Sequence, residues 1–185
     1  KDLVKELGQG HDYIVADLST EAGQSLCVKD LASKHYDMLI NNAGVGTVGG
    51  FADVPVEKQM AMVNLNCAAV VRLAHAFLKA AQSGDTLINV SSTLAFTPMP
   101  GLGLYCATKA FVTSLSESLW FEQKGRGVFV LGLCPGITET NFQVNAGGRK
   151  EDLPANLAQT PDEVVRVAMD AVKAKGKPTT ISGGK

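Results

Sequence analysis

The sequence predicts an α/β fold in which a doubly wound parallel sheet lies between layers of helices. Short apolar runs, rich in β-branched and aromatic residues, alternate with longer segments of helical periodicity. Such unbroken apolar runs are typical of strands covered on both faces, as in a parallel sheet. The chain has 185 residues, 45% hydrophobic and 19% charged, which is enough for one domain over residues 1–185.

Each predicted element follows from a local pattern. The predicted strands are 13–16, 38–40, 86–90, 128–133 and 179–181, and the helical patterns between them cover about 21–34, 56–82 and 103–124. A further helix should begin after Thr160, because an N-cap residue is followed there by proline and two acidic residues. Residues 138–160 have no clear period, so we expect a loop with helical pieces that forms a lid.

Charge and cysteine content narrow the classes of partner. The net charge is −1 and no run of lysines or arginines occurs, so neither nucleic acid nor an anionic membrane is an expected partner. Four cysteines lie in apolar stretches without a C-x-x-C pair, which predicts no metal site and favours a reducing cytoplasm. No apolar stretch is long enough for a membrane span, and no signal-peptide pattern opens the chain.

Small polar or glycine-containing turns follow the predicted strands. Ligands of open α/β sheets bind beyond the carboxyl ends of the strands, so these turns predict a ligand site. The turns are Asp17-Leu18, Asn41-Asn42-Ala43-Gly44, Ser91-Ser92 and Cys134-Pro135-Gly136.

Tyr105 and Lys109 are the strongest candidates for chemistry. They are four residues apart at the start of a predicted helix, so their side chains share one face, and Ser92 lies thirteen residues before the tyrosine. A neighbouring ammonium favours the phenolate, which predicts a tyrosine pKa below about 10 and proton exchange near neutral pH. Taken alone, the pair is better explained as an ordinary exposed surface pair, since such pairs are common.

Together these residues resemble the short-chain dehydrogenase/reductase family, classical type. The matching segments occur in the family's order over nearly the whole chain: Asn41-Asn42-Ala43-Gly44, Ser92 with Tyr105-x-x-x-Lys109, and Pro135-Gly136-Ile137-Thr138-Glu139-Thr140. The resemblance implies a Rossmann-type, three-layer α/β/α domain. It also implies an NAD(P)-dependent oxidoreductase that interconverts a carbonyl and an alcohol on a small molecule.

The resemblance also implies a role for each catalytic candidate. Tyr105 protonates the developing alkoxide during reduction and takes the hydroxyl proton during oxidation. Lys109 lowers the tyrosine pKa and holds the nicotinamide ribose, while Ser92 hydrogen-bonds the substrate oxygen. Ser91 or Thr93 could take the part of Ser92, but the thirteen-residue spacing favours Ser92.

A fourth member of the family's set is an asparagine in the preceding helix. Asn64 and Asn66 both fall there, and two residues on a helix are about 200° apart, so only one can face the site. Asn66 shares its stripe with Val70, Leu73 and Phe77, which predicts burial and a need for hydrogen-bond partners. We therefore expect Asn66 to face the site and to help hold a water beside Lys109.

The family's cofactor contacts carry over by position. They are Asp17 and Leu18 near the adenine, Asn42, Ala43 and Gly44 near the ribose, and Pro135, Gly136, Ile137 and Thr138 near the carboxamide, beside Tyr105 and Lys109. Asp17 could equally cap a helix, and Asn41 and Asn42 could tie strands together. The sequence does not choose between NADP and NAD. Substrate walls are predicted at Leu94, Phe96, Met99 and Phe142, and a homodimer or homotetramer through the helices near 56–82 and 103–124.

The sequence departs from the family at its start. The family opens with a strand and a glycine-rich phosphate turn, and we expect the first βαβ unit and the carboxyl-terminal end to lie outside this sequence. Gly44-Val45-Gly46-Thr47-Val48-Gly49 spells G-x-G-x-x-G, but no helix follows it directly and no acidic residue lies 20 positions on. Two alternatives stay open: a non-catalytic binding protein with this fold, and a sugar-nucleotide epimerase or dehydratase.

Overall fold

The computed structural model describes residues 2–149 and 155–183. Its strands are β1 (Met38–Asn41), β2 (Thr86–Val90), β3 (Phe129–Pro135) and β4 (Thr179–Ser182). Its helices are α1 (Asp2–Leu7), α2 (Glu21–Ser33), α3 (Val56–Ala80), α4 (Gly103–Gln123), α5 (Phe142–Asn145) and α6 (Pro161–Ala174). Within α3, residues Asn64–Ala69 form a wider π-helical turn.

The four strands form one parallel sheet in the order β1-β2-β3-β4. Leu87 and Val130 point to a cluster with α3 and α4, while Ile88 and Leu131 point to a second cluster with α6. Because these strand residues are buried on both faces, they read in the sequence as unbroken apolar runs. The predicted three-layer α/β/α architecture is confirmed.

The predicted strand at 13–16 is wrong. Residues 11–17 have no regular structure, and Tyr13, Ile14 and Val15 are exposed, Val15 by 77%. A strand exists only through hydrogen bonds to a neighbour. Within the described residues β1 pairs only with β2, and nothing joins the 13–16 run to the sheet. Its β-type composition is therefore not sufficient to form a strand.

The expectation that no stretch could span a membrane is also corrected. By length and composition alone, α3 is long and apolar enough to do so, and it is the one such helix in the described part of the chain. Half of its most apolar stretch is buried in the fold. Residues Ala74, Phe77 and Leu78 belong to the core beneath the sheet, and this packing explains its composition.

Threonine side chains cap the first turns of α6 and α2. Glu163 N donates to Thr160 Oγ1 at 3.3 Å and Thr160 N donates to Glu163 Oε2 at 2.8 Å, a capping box that confirms the predicted start of α6. The cap of α2 is Thr20, which accepts from Gly23 N at 3.1 Å. Asp17 therefore does not cap that helix.

Polar side chains link the sheet to α4. Asn41 Nδ2 on β1 donates to Asn89 Oδ1 on β2 at 2.9 Å, and Asn89 Nδ2 donates to Ser116 Oγ on α4 at 3.0 Å. All three residues are buried. Asn41 thus ties strands together, which was one of the two roles open for it.

The segment after β3 lies over the carboxyl end of the sheet. Thr138 and Gln159, near the two ends of this segment, form a parallel bridge with each other. Val48 N donates to Ala146 O at 2.8 Å, which ties the middle of the segment to the chain after β1. The short helix α5 lies between these contacts. Residues 150–154 of the predicted 138–160 lid lie outside the described residues.

Candidate active site

The site begins where β2 ends. Ser91 Oγ donates to Lys109 O at 2.7 Å and lies 2.7 Å from Thr113 Oγ1, so Ser91 holds α4 against the strand end. Ser92 begins a short turn, and its Oγ accepts from Leu94 N at 3.1 Å while also hydrogen-bonding the Tyr105 side chain. Of the two serines, it is Ser92 that contacts the tyrosine.

Tyr105 and Lys109 lie on the same face of α4 and point into the crevice at the end of β2. Lys109 Nζ is 5.7 Å from the centre of the Tyr105 ring and donates to Val90 O, at the end of β2, at 2.8 Å. Tyr105 is 7% exposed and Lys109 is 5% exposed. The alternative of an exposed surface pair is therefore wrong.

Burial, and not the neighbouring ammonium, dominates the ionisation of this pair. Burial raises the pKa of Tyr105 to about 12, against a smaller lowering effect from the Ser92 hydrogen bond. Burial likewise lowers the pKa of Lys109 to about 8, against a smaller raising effect of Cys67 and Cys134. The expectation that Lys109 brings the tyrosine pKa below about 10 is therefore wrong.

Asn66 is the asparagine that faces the site. It is 1% exposed and lies in the π-helical turn of α3, whereas Asn64 is exposed. Its Nδ2 donates to Val45 O at 2.9 Å and to Thr108 Oγ1 at 3.0 Å, and its Oδ1 accepts from Val45 N at 3.0 Å. A π turn shifts the helix face that follows it, and such turns are frequent at functional sites.

Gly44 lies close to two of the predicted catalytic side chains. A Cβ atom on this residue would come within 3.3 Å of Asn66 Oδ1 and 3.4 Å of Lys109 Nζ. Glycine therefore lets the chain pass close to both side chains. The turn after β1 and two of the predicted catalytic side chains thus meet at one point.

Phe142 on α5 covers Tyr105 from the lid side. The two ring centres are 5.4 Å apart with a 49° angle between their planes. A Cβ on Gly46 would come within 3.0 Å of the Phe142 ring, so the ring packs directly against Gly46 and leaves no room for a side chain there. Phe142 was predicted to line the substrate space, and in the structure it packs directly on the tyrosine.

The predicted cofactor residues lie on the turns beyond the strands. Asn42 and Ala43 are exposed after β1. Gly136 N donates to Ser182 O at 2.8 Å, and Thr138 Oγ1 donates to Gly136 O at 3.0 Å, which orders the turn after β3. Pro135 ends that strand, and Ile137 O accepts from Gln159 N at 2.9 Å.

Asp17 and Leu18 lie before α2, on the side of α3. Asp17 is exposed, and the amide and hydroxyl of Ser19 donate to its carboxylate at 2.9 and 2.7 Å, which lowers its pKa. Leu18 O accepts from Gln24 Nε2 at 2.9 Å, and the same amide donates to Asn64 O at 3.3 Å. This pair is joined to the rest of the site through α3.

The G-x-G-x-x-G sequence does not precede a helix directly. Gly49 is followed by a turn, and α3 begins only at Val56. Gly46 and Gly49 instead accommodate side chains, since added Cβ atoms would meet Phe142 and Val54. The rejection of this motif as a dinucleotide fingerprint agrees with the structure.

One group of described residues has the composition of a metal site. His35 Nε2 lies 3.5 Å from carboxylate oxygens of both Asp37 and Asp85. This group lies before β1 and β2, at the opposite edge of the sheet from Tyr105, and two of its three members are exposed. It has no part in the site described above.

Sequence reasoning missed Thr108, which bonds Asn66, and named Ser91 only as an alternative to Ser92. The available signal for Thr108 was its position three residues after Tyr105, on the same helix face. The bond from Ser91 to the backbone of Lys109 had no such signal, because Lys109 belongs to a distant helix.

Comparison with known proteins identifies the family. Residues 1–151 match the sequence model described as short chain dehydrogenase. "Probable oxidoreductase EphD" of Mycobacterium tuberculosis is 29% identical over 199 residues, which cover 95% of this chain and 33% of that protein.

Two solved structures are similar over about nine tenths of this chain. A short-chain dehydrogenase of Sphingobium yanoikuyae in complex with NADPH superposes with TM-score 0.82 at 31% identity, covering 90% of this chain and 65% of that one. The bulky-bulky ketone specific alcohol dehydrogenase of Comamonas testosteroni gives TM-score 0.79 at 32% identity, covering 92% and 64%. The chain thus spans between one third and two thirds of these relatives' lengths. With its fold and its sequence match, this chain belongs to the short-chain dehydrogenase family.

Proposed function

We propose that the protein is an NAD(P)-dependent oxidoreductase that interconverts a carbonyl and an alcohol, with Tyr105 as the acid and base. One observation carries the proposal. Ser92, Tyr105, Lys109 and Asn66 come from three separate elements and converge at the carboxyl edge of the sheet. Such a set is expected where a ligand binds in an open α/β sheet.

The residues present fit a nicotinamide cofactor. An ammonium carries three hydrogens, and within the described residues Lys109 Nζ has one hydrogen-bond acceptor, Val90 O. Its other hydrogens remain available for ribose hydroxyls beside Gly44. Asn42, Ala43 and the turn from Pro135 to Thr138 would form the remaining walls. The similar Sphingobium protein binds NADPH, which supports this choice. When bound, the cofactor supplies or accepts the hydride.

The pKa of Tyr105 matches the reducing direction. A phenol with a pKa of about 12 keeps its proton at neutral pH and can donate it to a developing alkoxide, which is a stronger base. The phenolate left behind would be stabilised by the charge of Lys109. Ser92 Oγ would donate to the substrate oxygen. In the oxidising direction the same groups act in reverse.

The substrate is proposed to be a ketone with apolar substituents. Phe96 is 53% exposed and Met99 is 42% exposed beyond the Ser92 turn, where apolar surface would otherwise face water. Leu94 lies in the same turn, and Phe142 completes the enclosure from the lid at 138–160. The similar Comamonas enzyme is a bulky-bulky ketone specific alcohol dehydrogenase, which supports this class.

A homodimer or homotetramer, working in the cytoplasm, completes the proposal. A groove of about 510 Å³ between α3 and α4 offers a surface for a second copy, with Val71, Leu78, Leu115 and Leu119 among its lining residues. The four cysteines, all within the described residues, are free, as is usual in a reducing compartment. Residues 1–185 are proposed to belong to one dehydrogenase domain of the whole protein.

The test is Tyr105→Phe in the full-length protein. We expect NADPH titration to give an unchanged Kd and the reduction of a bulky aromatic ketone to fall by at least about 100-fold, because the acid is gone. Tyr13→Phe is the matched control, since Tyr13 is exposed away from the sheet. Turnover that survives in Tyr105→Phe would refute the assigned acid. Binding without turnover in the unmutated protein would favour the non-catalytic alternative.

A further inference from the structure

The Thr108 hydroxyl connects the helix that carries Tyr105 with the side chain of Asn66. Thr108 Oγ1 donates to Tyr105 O at 2.8 Å and lies 3.0 Å from Asn66 Nδ2. A hydroxyl has one hydrogen and two lone pairs. Since the hydrogen is given to the carbonyl, the oxygen can only accept from Asn66. The direction of this hydrogen bond is therefore fixed.

The rest of the Asn66 amide is bound to Val45. Nδ2 donates its second hydrogen to Val45 O at 2.9 Å, and Oδ1 accepts from Val45 N at 3.0 Å. A rotated amide would set N–H against N–H at Val45 and O against O, so only one orientation satisfies every group. A continuous chain of hydrogen bonds thus runs from the Tyr105 turn through Thr108 and Asn66 to Val45.

This chain of hydrogen bonds ends at the turn that borders the crevice. Gly44 is next to Val45. A Cβ atom added to Gly44 would lie 3.3 Å from Asn66 Oδ1 and 3.4 Å from Lys109 Nζ, so there is little free space beside this glycine. A shift of Val45 relative to α4 would change the space beside the ammonium. Thr108 lies on α4, and among the hydrogen bonds of the described residues it reaches the turn through Asn66, so it acts through another residue.

We infer that Thr108 is a positioning residue, which holds the Gly44–Val45 turn at a fixed distance from Tyr105 and Lys109. The inference rests on the proposed function for its effect on turnover. Its structural part, the control of Val45 by Thr108, stands on the hydrogen bonds alone. A misplacement of about 1 Å at such a site can cost about 100-fold in rate.

Ser116 provides a matched control on the same helix. Its Oγ donates to Val112 O at 2.7 Å and accepts from Asn89 Nδ2 at 3.0 Å, so it repeats the bonding pattern of Thr108 eight residues later. Both residues are buried. The Ser116 network leads to Asn89 on β2 and on to Asn41 on β1, but the bond between Asn41 and Asn89 does not use the Ser116 hydroxyl and would remain in Ser116→Ala. Removal of either hydroxyl leaves one buried asparagine N–H unpaired, but only one of them lies in the crevice.

The experiment compares Thr108→Val, Thr108→Ser and Ser116→Ala in the full-length protein. We expect Thr108→Val to lower kcat for ketone reduction by about 10-fold or more, with less than about a 3-fold change in the ketone KM. Thr108→Ser keeps the hydroxyl and should stay within about 3-fold of the original kcat. Ser116→Ala should lower Tm comparably and leave kcat within about 2-fold.

Hydrogen exchange tests the structural part without any turnover. The Val45 amide, bonded to Asn66 Oδ1, should exchange about 10-fold faster in Thr108→Val and at the original rate in Ser116→Ala. An unchanged Val45 rate, or equal losses of kcat in both variants, would overturn the inference. Absence of turnover in the unmutated protein would refute the proposed function, and Val45 exchange would still decide the role of Thr108. Thr108→Ala replaces Thr108→Val if the larger variant does not fold.

Discussion

Lys109 is buried at a cost to stability, and that cost can be measured. Its pKa falls from 10.5 to about 8 because burial disfavours the charged form. At about 1.36 kcal/mol per pKa unit, the charged side chain destabilises the fold by about 3 kcal/mol near pH 7. Lys109→Met removes the charge and keeps the length of the side chain. It also loses the hydrogen bond to Val90 O, which offsets about 1–2 kcal/mol.

We therefore expect Lys109→Met to be more stable by about 1–2 kcal/mol near pH 7 while losing most of its turnover. The assay is urea unfolding of the cofactor-free, full-length protein, with Lys58→Met as the control because Lys58 is exposed on α3. The control should leave the free energy of unfolding unchanged. This outcome would mean that the position of the ammonium is maintained for function at the expense of stability.

The pH dependence has a definite sign. Between pH 8 and 10.5 the unfolded Lys109 binds more protons than the folded one, so stability rises with pH in that window. From near pH 7 to about pH 9.5 the original protein should gain about 2 kcal/mol relative to Lys109→Met. If Lys109→Met is less stable than the original protein at neutral pH, or if both proteins share one pH slope, the reasoning from burial is refuted.

Two further predictions concern the strand end and the lid. Asn41→Ala should lower the free energy of unfolding by about 1–3 kcal/mol, because it leaves the buried amide oxygen of Asn89 on β2 unpaired. The control Asn42→Ala should leave the free energy of urea unfolding unchanged. Equal effects of the two variants would contradict the structural role of Asn41. Phe142→Ala should bring the pKa of Tyr105 down from about 12 towards 10, as water reaches the ring, in an ultraviolet titration corrected with Tyr105→Phe. Phe121→Ala, at an exposed position, is the control, and an unmoved tyrosine pKa would mean that Phe142 does not exclude water.

Much of the sheet could be predicted from local pattern. The runs at 38–40, 86–90, 128–133 and 179–181 all contain strands. The apolar character of β2 and β3 reflects burial on both faces, whereas Ile40 and Ile181 on the edge strands β1 and β4 are about half exposed. The run at 13–16 has the same composition and remains irregular. Strand formation needs a neighbour, and no local pattern reports whether a neighbour is present.

The site, too, could be predicted from the sequence only in part. Helical spacing alone brings Tyr105 and Lys109 to one face, and stripe reasoning correctly favours Asn66 over Asn64. Their ionisation could not be predicted, since it depends on how deeply both groups are buried and which atoms surround them. The π turn in α3 could not be predicted from the sequence either, because one extra residue in a helical turn does not change the apolar pattern that precedes it.

The buried pair of Asn41 and Asn89 has a consequence for how the sheet aligns. Apolar strands covered on both faces can slide past one another with little change in what they bury, so hydrophobicity alone specifies their offset weakly. An amide pair in that interior is satisfied at a single offset, and a slip by one residue would leave both amides facing hydrocarbon. Because the turn bearing Gly44 follows β1 and Ser92 follows β2, this one contact also sets the two ends level with each other. A strand-internal asparagine thereby controls the geometry of a site that it never touches.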